Sequence, residues 1–240
     1  MTKLAISGAL GRMGQRVIAL AKEDREVEVV CALERNGHPG LGLDIGAGVR
    51  VRCDLEGIAV ADVLIEFSSP QASMQHLLRI APLGKKMVIG TTGFSPQQAS
   101  EIKQAAENIA VVFAPNMSVG VNILFSLVSQ AAQRLKAAGY SVEISEAHHI
   151  HKKDAPSGTA KRLAAIVNEQ GFSLDADKIE AVREGEIIGD HKVVFQSEWD
   201  RLELSHSAKT RGIFVRGALQ AAKWLADKPA GLYGMGDVIG

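Results

Sequence analysis

KLAISGALGRMG, residues 3–14, sets the reading of the fold. A short apolar strand ends at Ser7 and runs into Gly8, Ala9, Leu10, Gly11, Arg12, Met13 and Gly14. Beyond it Met13, Val17, Ile18 and Ala21 recur at helical spacing. The glycines follow G-x-x-G-x-x-G, a variant of G-x-G-x-x-G. That pattern permits a tight turn and lets backbone amides approach a pyrophosphate at a helix N-terminus. Glycines also join strands to helices for structural reasons, so context decides. Val27 to Leu33 reads as a second strand, and Glu34 stands at its end, where an acid hydrogen-bonds the adenosine ribose. Arg35 follows and offers a bidentate partner for a 2′-phosphate, so NADH and NADPH are both acceptable cofactors. The alternative for Glu34 and Arg35 is a solvated strand end.

The same alternation continues outward. Asp62 to Phe67 is a strand apolar almost throughout, as expected where helices cover both faces of a parallel sheet. Ser68-Ser69-Pro70 starts a helix on which His76 reads as a surface or boundary residue. Lys86 to Ile89 is a strand ending in Gly90, Thr91, Thr92 and Gly93. Ile109 to Phe113 is another, ending in Ala114, Pro115, Asn116, Met117 and Ser118. Both loops would lie at the carboxyl ends of parallel strands, where open α/β sheets bind ligands, and so could line the nicotinamide half of a site. Ordinary turn chemistry is the competing reading. Asn36 to Gly48 is glycine-rich and is assigned no chemistry.

Val119 to Ala138 is a long amphipathic helix, after which the alternation changes character. The expected architecture is an α/β Rossmann-type parallel-sheet dinucleotide domain, residues 1–118 and 218–240, plus a smaller α+β substrate-binding and oligomerisation domain, residues 119–217. Lys192 to Ser207 alternates in strand fashion and predicts a largely antiparallel sheet. Ala218 to Ala226 reads as an apolar helix, and the glycine-rich tail Pro229 to Gly240 is expected to return to the first domain.

In the second domain EAHHIHKKDAPSGTA, residues 146–160, gathers three of the seven histidines and two lysines. Tyr140 to Ser145 alternates like a half-buried strand and Thr159 to Val167 reads as a helix, which places the cations in a strand-to-helix connection. Pro156, Ser157, Gly158 and Thr159 mark the helix start, where unpartnered N–H groups and the macrodipole favour a small carboxylate. Side chains that titrate near neutral pH, fixed positive charge and an anion site thus share one connection. The plain alternative is a basic surface loop. No metal is expected, because His148 and His149 would project to opposite sides of a strand and no Cys or paired carboxylate completes a ligand set.

Composition bounds the class of the protein. Lys plus Arg and Asp plus Glu both total 27, giving zero formal net charge, which supports neither general nucleic-acid binding nor attraction to a membrane surface. A hydrophobic content of 46% suits a globular core. The two cysteines, Cys31 and Cys53, are too few for a disulfide framework and point to a reducing cytoplasm. No secretory signal is expected from MTKLAISG, and no apolar run approaches the roughly 18 residues of a membrane span.

With the Gly8 loop, Glu34, GTTG at 90–93, APNMSVGVN at 114–122 and EAHHIHKKDAPSGTA in order, the chain resembles the dihydrodipicolinate reductase (4-hydroxy-tetrahydrodipicolinate reductase) family over nearly its whole length. The resemblance implies NAD(P)H-dependent reduction of a small cyclic dicarboxylate in diaminopimelate and lysine biosynthesis, by a homotetramer. It further implies that Gly8 to Met13 touch the pyrophosphate, that Glu34 and Arg35 meet the adenosine ribose, and that Gly90, Thr91, Thr92, Ala114, Pro115, Asn116 and Met117 contact the rest of the cofactor. His148 would act in proton transfer and Lys152 as proton donor, with His149, Gly158 and Thr159 binding substrate. Neighbouring cations should depress the pKa values of Lys152 and His148, and a bound dianion should raise them. Domain closure is expected. The rivals are another two-domain nicotinamide dehydrogenase acting on an amino or keto acid, and a redox sensor that binds dinucleotide without turnover.

Overall fold

The computed structural model describes residues 1–240, which fall into two compact units, 1–118 with 214–240, and 119–213. The first unit contains β1 (Thr2–Ser7), α1 (Arg12–Ala21), β2 (Val27–Leu33), β3 (Val51–Arg52), β4 (Val63–Glu66), α2 (Pro70–Ile80), β5 (Lys86–Ile89), α3 (Pro96–Ala105) and β6 (Ala110–Phe113). Most of α6 (Gly212–Leu225), then β11 (Gly231–Tyr233) and α7 (Met235–Ile239), complete it.

Its seven strands are ordered β11-β6-β5-β4-β1-β2-β3, every neighbouring pair parallel. The chain starts in the middle at β1, moves out to β3, then crosses back to β4 and runs the other way. The direction of winding therefore reverses between β1 and β4, the place where ligands bind in open α/β sheets. Ser7 and Glu66 face each other in register across that switch. Leu4, Ala5, Ile6, Val63, Leu64 and Ile65 are all buried, which explains why these strands read as unbroken apolar runs. Helix starts are fixed by side chains: Ser69 Oγ accepts the Ala72 N–H, and Ser95 with Gln98 forms a capping box on α3, each helix having proline in its first turn.

Two features depart from the sequence expectation. β3 has two residues, too few for a periodic signal. α6 starts at Gly212 rather than near Ala218, because Ile213, Phe214 and Val215, weak helix formers, are drawn into the helix by packing, Val215 being fully buried. The tail adds β11 beside β6.

The second unit consists of α4 (Val119–Ala137), β7 (Ser141–His148), α5 (Gly158–Glu169), β8 (Glu180–Arg183), β9 (Asp190–Gln196) and β10 (Arg201–Ser207). Its sheet order is β10-β9-β7-β8, antiparallel except for the parallel β7–β8 pair. Leu124, Val128 and Ala132 of α4 and Ala160, Leu163 and Val167 of α5 pack with Ile144, Val193 and Phe195 of the sheet. β7 runs three residues beyond the expected Ser145. Residues 145–147 are paired on both sides, with Glu180–Val182 and with Asp190–Lys192, and His148 pairs Arg183. Glu146 and His148 thus belong to a strand and not to the connection after it, and by strand alternation they share one face.

Candidate active site

In the first unit the glycine loop is shaped by close backbone packing. Gly8 has φ +66°, and a Cβ there would lie 2.7 Å from the Phe67 carbonyl oxygen; a Cβ at Gly14 would lie 2.1 Å from the Gly8 oxygen. No other residue satisfies both constraints, and the result is a turn that brings α1 against the tip of β1. The Gly11 N-cap brings no side chain to the helix start and the first turn carries no acid, so its outward N–H groups stay available to an anion. Glu34 is not a solvated strand end. One carboxylate oxygen accepts the Leu10 N–H at 3.2 Å and the other the Arg35 N–H at 3.0 Å, so Glu34 braces the glycine loop. A carboxylate has lone pairs left for ribose hydroxyls. Arg12 and Arg35 are exposed, Met13 is half-buried and Ala9 is buried.

Thr91 is buried and turned into the protein, its Oγ1 accepting the Ser68 N–H at 3.1 Å, so that only its backbone is offered to a ligand, whereas Thr92 is exposed. Gly90 is packed beneath the Phe67 ring, where a Cβ would lie 2.1 Å from a ring carbon. Asn116 Oδ1 accepts the Ser118 N–H at 2.8 Å, closing a side-chain turn after Ala114, Pro115 and the buried Met117. Gly217 of α6 supports this loop from outside: a Cβ there would lie 1.7 Å from the Met117 oxygen. These groups fit a dinucleotide: a small-residue turn, free helix-start amides and an acid at the end of β2.

The second unit holds the cationic cluster around one buried carboxylate. Glu146, with no exposed side-chain surface, binds His148 Nδ1 through one oxygen; the other accepts the Ser157 N–H at 3.1 Å and Arg183 Nη2 at 2.8 Å. Burial would raise the Glu146 carboxyl, but Arg183, His148 and the Ser157 N–H outweigh it and hold it below the ordinary carboxylate range. Glu146 is therefore anionic, and His148 Nδ1 must carry the hydrogen between them. His148 is itself lowered, chiefly by burial and further by Lys152 and Arg183, against the pull of Glu146. The depression expected from neighbouring cations is present at His148, but burial is its main cause. A neutral imidazole with Nδ1–H tied to Glu146 leaves a lone pair on Nε2.

Ser157 caps α5, its Oγ accepting the Ala160 N–H at 3.2 Å and lying 3.3 Å from His191 Nε2. A Cβ at Gly158 would meet no protein atom within 4 Å, so the fold leaves open space above the helix start. Lys152 Nζ pairs with both oxygens of the exposed Asp154, at 2.8 and 2.9 Å. Arg183 Nη2 also donates to the Asp154 carbonyl at 2.6 Å, which clamps the 149–157 loop to β8. His149 Nε2 stands 3.3 Å from Arg211 Nη2, and its buried Nδ1 has no protein partner. Without a Cys or a paired carboxylate, Glu146, His148 and His191 bring ligand atoms within 4.8 Å of one another, His191 arriving from another strand. The Glu146 oxygens are nevertheless committed to Arg183, His148 and Ser157.

The family models for the N-terminus and the C-terminus of dihydrodipicolinate reductase match residues 2–117 and 120–239. The chain belongs to the dihydrodipicolinate reductase family. It is 42% identical, over all of its length and 98% of the relative's, to a 4-hydroxy-tetrahydrodipicolinate reductase of Anaeromyxobacter dehalogenans, and 41% identical, over 99% and 97%, to that of Nitrosomonas europaea. A solved dipicolinate-bound dihydrodipicolinate reductase from Paenisporosarcina sp. TG-14 superposes with a TM-score of 0.84 at 26% identity, covering 98% of this chain and 97% of that one. A diaminopimelate dehydrogenase of C. glutamicum shares the fold, with a TM-score of 0.59 at 12% identity over 98% and 92% of the two chains.

In this dihydrodipicolinate reductase family member, Glu146, Arg183, His191 and Arg211 stand beside the residues singled out from sequence and were missed there. Glu146 lay inside the quoted motif and its alternation with His148 was available as a signal. Arg183, His191 and Arg211 arrive from other parts of the chain, and nothing local marks them.

Proposed function

We propose that this chain reduces 4-hydroxy-tetrahydrodipicolinate (dihydrodipicolinate) to tetrahydrodipicolinate at the expense of NADH or NADPH, in the diaminopimelate route to lysine. The reading is carried by one observation: a buried Glu146–His148–Arg183 network adjoining the open N-terminus of α5, within a chain whose full length matches the family. When bound, the reduced nicotinamide supplies hydride to an unsaturated carbon of the cyclic diacid, the hydroxylated form first losing its 4-hydroxyl group as water to give the dihydro form. The amides at the α5 start, Gly158 and Thr159 among them, hold one carboxylate, and the bare Gly158 position leaves room for it. His149, drawn toward Arg211, belongs to the same anion-binding surface. The Lys152 ammonium leaves Asp154 and donates the proton that balances the hydride. His148, fixed by Glu146, handles the proton through Nε2.

In the first unit Gly8, Ala9, Leu10, Gly11, Arg12 and Met13 hold the pyrophosphate, and Glu34 and Arg35 hold the adenosine ribose. Gly90, Thr91, Thr92, Ala114, Pro115, Asn116 and Met117 hold the nicotinamide half. We place the protein in the cytoplasm as a homotetramer. Free Cys31 and Cys53 support a reducing compartment, and no helix is long and apolar enough to cross a membrane.

The test is steady-state oxidation of NADPH and of NADH with freshly generated cyclic imine substrate, and mass analysis of the product. Turnover to tetrahydrodipicolinate supports the proposal. Oxidation only with an amino or keto acid would favour another nicotinamide dehydrogenase, and tight cofactor binding without turnover would favour a sensor.

A further inference from the structure

We infer that Glu66 and His76 form a buried positioning pair that sets the two cofactor loops of the first unit, without either residue touching the cofactor. The inference rests on the dinucleotide site proposed above. From sequence His76 reads as a surface or boundary residue; the structure makes it a boundary residue whose ring is turned toward Glu66. Glu66 closes β4 with a carboxylate that has no exposed surface, and His76 Nδ1 from α2 lies 2.6 Å from its Oε2. Its other oxygen accepts the Ser68 hydroxyl. Ser7 Oγ, from the strand that leads into the glycine loop, lies 3.3 Å from the same His76 nitrogen.

Residues 66–68 are the common footing of both loops. On one side Ser7 is the register partner of Glu66, and the Gly8 turn lies against the Phe67 carbonyl. On the other, the Gly90 N–H donates to the Glu66 carbonyl at 3.0 Å, and Thr91 Oγ1 accepts the Ser68 N–H at 3.1 Å. The core does not require a carboxylate here. Val63, Leu64 and Ile65 already fill β4, and burying an acid costs free energy that an apolar side chain would not. The acid stands at the topological switch point, where Ser7, Ser68 and His76 converge from β1, the β4 tip and α2. The carboxylate thus ties α2 to the tip of β4, and His76 carries the contact on to Ser7 of β1, so the pair sets the spacing of the glycine loop and the Gly90 loop.

The experiment measures NADPH and NADH binding by fluorescence titration of the full chain, with thermal melting and steady-state constants alongside. His76→Leu should weaken both cofactors about tenfold, since it strands the buried Glu66 acceptor and frees the two loops to shift. The KM for the cyclic diacid and kcat should change by less than about threefold. His76→Asn, whose amide nitrogen can stand where Nδ1 does, should recover binding to within about threefold of the parent. Unchanged cofactor binding in His76→Leu overturns the inference whatever happens to the melting temperature, and so does binding that His76→Asn fails to recover while it melts like the parent. If His76→Leu does not fold, Ser7→Ala and Glu66→Gln are measured in its place: weakened binding of both cofactors in folded protein supports the pair, unchanged binding overturns it. Turnover by the parent enzyme tests the proposed reaction separately.

Discussion

Arg183 Nη2 stands 2.8 Å from Glu146 Oε1, and the carboxylate it meets has no exposed side-chain surface. The pair joins β8 to β7 in the second unit and, through the Asp154 carbonyl, holds the 149–157 loop. Breaking a buried pair by removing one partner costs about 3–5 kcal/mol. Glu146 keeps His148 and the Ser157 N–H, so Arg183→Ala should lie at the lower end of that range. Chemical denaturation of the variant checks it, and a loss below about 1 kcal/mol would show that the guanidinium is dispensable.

Lys152→Ala should lower turnover by about 10²- to 10⁴-fold, the usual contribution of a positioned acid. Reduced-cofactor binding should stay nearly intact, because Lys152 belongs to the second unit and the cofactor residues to the first. Single-turnover rates and fluorescence titration separate the two effects.

The His191 imidazole is pushed down to about 4 from an ordinary 6.5, chiefly by burial, with repulsion from His148 and His206 added and attraction from Glu146 and Asp190 opposing. Between those values the unfolded chain binds a proton that the folded chain refuses. Stability is therefore full above pH 6.5 and drains as pH falls toward 4, by roughly 3 kcal/mol from this group. Glu146, held below its ordinary range, adds its loss at lower pH still. Melting temperature followed from pH 7 to 4.5 should fall, and His191→Gln should flatten the curve; a parallel curve would refute the assignment.

Gly217→Ala places a methyl group 1.7 Å from the Met117 carbonyl oxygen, so either α6 or the 114–117 loop must move. Overpacking of this kind costs about 1–3 kcal/mol. A higher KM for the reduced cofactor is expected along with the lower melting temperature.

Arg35→Ala should weaken NADPH more than NADH, because only NADPH offers a 2′-phosphate to a guanidinium. Dissociation constants for the two nucleotides decide this, and equal changes would remove the phosphate role from Arg35.

What could be read in the sequence was whatever short-range pattern specifies. The Gly8–Gly14 spacing, the apolar runs at β1, β2, β4 and β5, and the Ser-Pro helix starts each act within a few residues, and the parallel sheet follows from their alternation. The motif at 146–160 likewise announced a cationic segment next to a helix start. Only the tertiary structure showed that Glu146 is the centre of that segment. Its partners Arg183 and Ser157, with His191 beyond Ser157, come from β8, the start of α5 and β9, brought together by strand register that no single segment encodes. The partner of His76, a boundary residue as its sequence suggests, was hidden for the same reason: helical spacing says which face of α2 it occupies, but the buried acid waiting on β4 is a property of the folded sheet. Local chemistry writes the elements and their caps, whereas the pairing of buried charges depends on which elements become neighbours.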